Sequence, residues 1–167
     1  REYPLEQYLR DAKIMSLYEG TNGIQSMDLM GRKMRINDGA PFKAFQKEIE
    51  KFCRDNRRHP QFAGKVKSLS QSFEKLTKAA ARLKDQMQSD PLQWASNTYP
   101  VLMAFGDVTM TWCLLDLAVI AARAVKNGKE NDFFTGKIMQ AGYFTDITLP
   151  HILATLDTVG KEGREIV

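Results

Sequence analysis

At 167 residues, 43% of them hydrophobic, the chain is long enough to bury a core and too apolar to be disordered. Its net charge of +4 is modest, and its two cysteines, Cys53 and Cys113, are far apart with no CxxC, which excludes a disulfide framework and a cysteine zinc site. A reducing compartment, the cytoplasm, is the expected setting, both cysteines are expected as small buried apolar residues, and the isolated His59 and His151 give no metal-ligand spacing.

Residues 1–36 read as the tail of a larger helical domain. Pro4 can open a short helix, which residues 19–21 interrupt. Ile24, Met27, Met30 and Met34 then put an apolar stripe on a helix predicted over about residues 22–34. Thr21 or Asn22 can cap it, with Asn22-x-x-Gln25 as a variant capping box. Residues 37–41, Asn-Asp-Gly-Ala-Pro, break helices and favour turns, so they read as a linker.

The turn before the second helix holds the residues that point to chemistry. Glu19 is a carboxylate of the kind that can take a proton when held where water is scarce. Gly20 has no side chain and Gly23 tolerates unusual dihedrals, so a ligand can come close to this backbone. The free amides and positive dipole end of the following helix favour an anionic group such as a phosphate. Taken alone, Glu-Gly-Thr-Asn-Gly is also an ordinary polar turn.

Two adjoining motifs add to that reading. Arg10-Asp11-Ala12-Lys13-Ile14, then Tyr18-Glu19-Gly20-Thr21 and Ile24-Gln25, resemble in order and spacing the C-terminal signature of the acyl-CoA dehydrogenases. The resemblance implies an FAD-dependent oxidation of the α,β bond of an acyl-CoA thioester. Glu19 would be the catalytic base, Tyr18 and Gly20 would line the thioester end, and Thr21, Asn22 and Gly23 would lie near FAD. The family often has Ser-Gln where this chain has Asn22-Gly23, so Gly23 could offer only backbone. Acyl-CoA as substrate, an electron-transfer flavoprotein or similar acceptor, and a homo-oligomer are implied with it. The domains that hold most of the flavin precede this signature in the family. The opening at Arg1, without a charged-then-apolar leader, fits a piece of a longer polypeptide that is inactive by itself.

From Phe42 the pattern is strongly helical. Phe42, Phe45, Ile49 and Phe52 recur at spacings of three and four, and residues 57–60 end that helix. Val66, Leu69, Phe73, Leu76, Ala80, Leu83 and Met87 then form one unbroken stripe. Asp90-Pro91 starts a third helix, with a bend expected at Pro100, that runs to about Val125. Its middle is apolar almost all round, but Asp107 and Asp116 lie on opposite sides of it. A central bundle helix is therefore expected rather than a membrane span. The last helix, about residues 132–159, carries Phe134, Ile138, Phe144, Ile152, Leu156 and Val159, with a kink expected at Pro150. Short connections favour antiparallel neighbours. The expected fold is thus all-α, an up-and-down four-helix bundle over residues 42–167 preceded by a tail and linker over residues 1–41. This half resembles the additional C-terminal domain of the longer acyl-CoA dehydrogenases, including those acting on methylthio-substituted acyl-CoAs, through its pattern and residues 143–150.

Residues 42–89 carry twelve basic and five acidic side chains, so the positive charge collects on the first two bundle helices. Arg54, Arg57, Arg58, Lys65 and Lys67 could attract the phosphate end of CoA or an acidic protein surface, or form a solvated face. Aromatic residues sit on the apolar stripes and not among these charges, so nucleic acid is not an expected partner. The alternative to an enzyme part is a helical interaction or oligomerisation module whose polar turn is structural.

Overall fold

In the computed structural model, residues 4–15, 17–18, 21–129 and 131–159 are described. They form helices α1 (Leu5–Met15), α2 (Asn22–Gly31), α3 (Ala40–Asn56), α4 (Ala63–Ser89), α5 (Pro91–Lys126), α6 (Asp132–Tyr143) and α7 (Leu149–Thr158). A 3₁₀ segment occupies Lys33–Gly39 and a π-helical turn Phe144–Thr148. The all-α expectation holds: no strand occurs among the described residues.

The bundle consists of α3, α4, α5 and the interrupted rod of α6, the π turn and α7. The α4 stripe is buried as its spacing requires, with Leu69, Leu76 and Leu83 fully enclosed and only Met87 left part-exposed. Val101, Ala104, Val108, Thr111, Leu115 and Ala118 form the inward face of α5, which packs against α2, α4, α6 and α7. By length and composition α5 could cross a membrane; its place in this fold is the middle of the bundle, where four helices lie on it. Pro100 falls inside α5, and the helix continues through it.

α3 meets the bundle through rings. Phe45 stands edge-on to Phe73 of α4 and Trp112 of α5, each at 6.0 Å, and Phe42 is edge-on to Phe105 at 5.9 Å. The turn from α3 to α4 is pinned by Phe62, which is 1% exposed and stacks on His59 at 4.8 Å. His59 is therefore half-buried against an aromatic ring, whereas His151 is exposed. On the outside, Lys65 reaches Asp146 at 2.7 Å and Lys75 reaches Asp157 at 2.9 Å, joining α4 to the π turn and α7. Ion pairs this open to solvent add little.

Three local expectations need correction. The second helix stops at Gly31 instead of running to residue 34, because Arg32 leaves helical backbone (φ −120, ψ −60°) and the chain goes on as the 3₁₀ segment, in which Asn37, Asp38 and Gly39 take left-handed backbone at φ 49, 55 and 77°. Asn, Asp and Gly carry that conformation at least cost. The linker is consequently short: α3 already begins at Ala40, with Pro41 in its first turn. In the last rod the irregularity lies before Pro150, not at it. The Leu149 N–H bonds the Phe144 carbonyl, and this extra residue per turn lets Pro150 enter in the first turn of α7.

The cysteines differ. Cys53 is buried as expected, and burial, with Glu50 adding to it, pushes its thiol up to about 11. Cys113 is exposed on α5, because it falls on the side turned away from the core. In dilute native protein at pH 8, a maleimide is expected to label Cys113 and to reach Cys53 only on unfolding; peptide mapping showing equal labelling would contradict this packing. Truncating Leu115→Ala is expected to destabilise the chain by about 2–5 kcal/mol in urea unfolding, whereas Leu92→Ala, at an exposed site, should change it by less than about 0.5 kcal/mol.

Candidate functional site

Glu19 and Gly20 lie outside the described residues. Their neighbours are described. Tyr18 is 79% exposed, and Thr21, Asn22 and Gly23 at the start of α2 are exposed as well. Of the two candidate caps, Thr21 does the capping: its hydroxyl accepts from the Ile24 N–H at 3.3 Å, and its carbonyl accepts from the Gln25 N–H at 3.0 Å. Asn22 is the first helical residue and Gly23 the second. Gly23 has ordinary helical backbone, so the dihedral freedom expected of it is unused. What it contributes is space, since a Cβ there would meet nothing within 4 Å. With the Ile24 and Gln25 amides taken by Thr21, the amide of Gly23, which carries no side chain, is the part of this first turn left open beside that space.

What holds this helix end in place is a contact with α5 that the sequence pattern did not reveal. Ser26 and Thr98 are both fully buried, their hydroxyl oxygens 2.9 Å apart. Ser26 also lies 2.8 Å from the Gly23 carbonyl, and Thr98 2.8 Å from the Ala95 carbonyl. Each hydroxyl has one hydrogen, so the protons run either from Thr98 to Ser26 to Gly23 or from Ser26 to Thr98 to Ala95. Either order links α2 to α5 through Ser26, and the first also ties in the Gly23 carbonyl of the first turn. One turn further on, Met30 is buried and Gly31 lies against the Trp94 ring of α5, where a Cβ would be in van der Waals contact at 3.4 Å. The signal for Thr98 was its place three residues before Val101 on the inward stripe of α5. An almost wholly apolar helix hides such a stripe.

At the outer side of α2, Asp28 makes a two-pronged pair with Arg32 at 2.6 and 2.8 Å, and Lys33 stands 3.5 Å away. The Arg32 guanidinium holds the Asp28 carboxyl below its ordinary range, so it stays ionised. The basic turn between α3 and α4 is split: Arg54, Arg57 and Lys67 line an open groove of about 720 Å³, while Lys65 is turned to Asp146.

The family described as acetyl-CoA dehydrogenase C-terminal like matches residues 45–167, which include α4 to α7 and most of α3. The chain belongs to this acyl-CoA dehydrogenase family. A broad-specificity linear acyl-CoA dehydrogenase of Mycobacterium tuberculosis is 30% identical across 100% of the chain and 29% of its own length. A butyryl-CoA dehydrogenase of Syntrophomonas wolfei is 28% identical over 93% of the chain and 26% of its own length. A 3-methylmercaptopropionyl-CoA dehydrogenase of Ruegeria pomeroyi is 28% identical over 99% and 28%. The chain therefore spans less than a third of the length of these acyl-CoA dehydrogenases, and the Mycobacterium tuberculosis match, which covers the whole chain, includes the α1–α2 segment ahead of the bundle.

The hydroxyl pair is testable on the chain itself. Ser26→Ala and Thr98→Val are each expected to cost about 1 kcal/mol, with a coupling of at least about 0.5 kcal/mol in a double-mutant cycle by urea unfolding. Strict additivity would show that the two hydroxyls do not interact.

Proposed function

We propose that the chain is the C-terminal part of an FAD-dependent acyl-CoA dehydrogenase, in which Glu19 removes the α-proton of an acyl-CoA thioester. The observation that carries this is the RDAKI and YEGT signature leading directly into the Thr21-capped start of α2, within a chain matched along its whole length by an acyl-CoA dehydrogenase. On this reading residues 1–41 end the catalytic helical domain, and residues 42–167 are the additional bundle. The apolar side chains of α1 support it: Leu5, Tyr8, Leu9 and Met15 are all exposed, and no residue of α1 is buried. Such a surface suits a helix whose packing partners belong to another part of a longer polypeptide.

In the proposed reaction a carboxylate at position 19 is needed in its ionised form, close to the α-carbon and shielded from water. Tyr18 and Gly20 would flank the thioester. Thr21, Asn22 and Gly23 would meet the flavin nucleotide, and the open space over Gly23 together with its amide fits a phosphate oxygen. The Thr21 hydroxyl is already used by the Ile24 amide, so its remaining lone pair and proton are what it can offer a ligand. FAD, when bound, would accept the β-hydrogen as hydride. Electron-transfer flavoprotein or a similar acceptor, a homo-oligomeric assembly and a cytoplasmic location complete the reading.

The test is made on the longer polypeptide. Glu19→Gln keeps the size of the side chain and removes its basicity. It is expected to lower the rate of flavin reduction by acyl-CoA at least about 100-fold while the ligand still binds. The 167-residue chain alone is expected to show neither flavin absorbance nor acyl-CoA oxidation. Normal reduction by the Glu19→Gln protein would overturn the assignment of the base.

A further inference from the structure

Between the 3₁₀ segment, the start of α3 and the second half of α4 lies a cleft of about 550 Å³, within the size range of small-molecule sites. Its lower part is apolar: Met30 and Ala80 are buried there, and Met34, Phe42 and Ala81 wall it. Its rim is charged, with Arg35, Lys43 and Lys84 against the single carboxylate of Asp38. Among the described residues none of these three cations is in an ion pair. Arg35 reaches only the Met87 sulfur, at 3.9 Å. The left-handed run at Asn37, Asp38 and Gly39 carries the chain from Met34 to Phe42 and so shapes one wall. Gly39 is required there, since a Cβ would stand 3.2 Å from the Met34 carbonyl at a φ of 77°. Two non-glycine residues in that conformation are strained, and strain of this kind gathers at ligand sites. On the opposite wall, Ala80 and Ala81 between Thr77 and Lys84 leave a slot along two turns of α4, about 10 Å long.

We infer that this cleft binds a single amphiphilic anion, an unbranched alkyl chain ending in a carboxylate. The carboxylate sits between Arg35 and Lys84, and the chain runs over Ala81 and Ala80 toward Thr77. The contact of Arg35 with Met87, one turn beyond Lys84, puts both cations at the same end of the slot. The charge balance of the rim selects an anion over a neutral or cationic amphiphile, and the apolar floor selects against an anion that is polar throughout. Met30 and Met34 are unbranched and adaptable, as contact with a flexible chain requires. A polypeptide segment fits this cleft less well, because its buried amides and carbonyls need partners and Thr77 is the one uncharged polar side chain in the lining. An alkyl chain needs none. A concave slot on this scale also suits one chain rather than the face of a bilayer. The inference is independent of the enzymatic reading.

Isothermal titration calorimetry of the 167-residue chain with octanoate is expected to show one site with a Kd below about 1 mM. Acetate, which is the head alone, and octanol, which is the chain alone, should each bind at least about 10-fold more weakly. Arg35→Gln with Lys84→Gln, both at exposed positions, is expected to keep the thermal transition and weaken octanoate at least about 10-fold while leaving octanol unchanged. Ala81→Leu, which fills the slot, should weaken both ligands. Lys51→Gln, an exposed cation outside the cleft, should change neither. No binding below about 1 mM, octanol as tight as octanoate, or indifference to the Arg35 and Lys84 changes would each overturn the inference. The longer polypeptide should bind octanoate as the chain does; loss of binding there would show that its own residues fill the cleft, and would overturn it too. So would retention of the chain by phosphatidylglycerol vesicles without octanoate binding, which would assign the cations to a membrane surface.

Discussion

A helix of 36 residues that is apolar on nearly every side is stable in water only when other helices cover it, and α5 sets that constraint for the whole chain. α4, α6 and α7 bury its inner face, and α3 reaches it through Phe42 and Phe45. Leu115, Val108 and Val101 are fully enclosed where these elements meet. The surface ion pairs are ornaments on this arrangement; removing apolar area from water does the holding. One face of α5 is left uncovered by the described residues, and its regular spacing separates it from the scattered apolar residues that any protein surface shows.

The same helix reaches beyond the bundle. α2 would otherwise be ten residues between a polar turn and a left-handed bend, too short to stand alone. Ser26, Met30 and Gly31 fasten it to α5, and the polar pair adds direction that apolar packing lacks, because a hydroxyl buried without its partner is costly. In the proposed enzyme the residue that takes the proton precedes α2 by three positions. The bundle then acts as the footing of the helix that follows the base, which gives a physical role to a domain otherwise readable as an appendage. The basic groove between α3 and α4 has no comparable link to α2 through the contacts described, and Glu50 among its lining residues offsets part of its positive charge.

Much of the bundle was legible because α3 and α4 keep apolar residues at three-and-four spacing with polar residues between them, so each stripe points to one face. The helix ends were legible where a cap and a proline coincide, as at Asp90-Pro91, where the Asp90 side chain accepts from the Gln93 N–H at 3.1 Å. Position-specific backbone was not. Three successive left-handed residues at 37–39 and the π turn before Pro150 depend on how neighbouring elements meet, and sequence spacing carries no record of that. α5 hid its two faces for a different reason: when nearly every residue is apolar, periodicity cannot separate the inner stripe from the outer, and neither Thr98 nor the exposed Cys113 stood out. At the site, the capping of α2 could be read from Thr21 itself, while the clamp on α2 is a contact between residues 72 positions apart.

The central claim is that α2 is held by α5 as firmly as the bundle holds itself. Native-state hydrogen exchange under mild urea reads this directly, by comparing the opening free energy of the Met30 amide with that of Leu115. The expected result is that the two merge into one cooperative opening as denaturant rises. If Met30 exchanged orders of magnitude faster than Leu115, at a rate insensitive to denaturant, α2 would be a loosely attached strand of helix and the bundle could not serve as its footing.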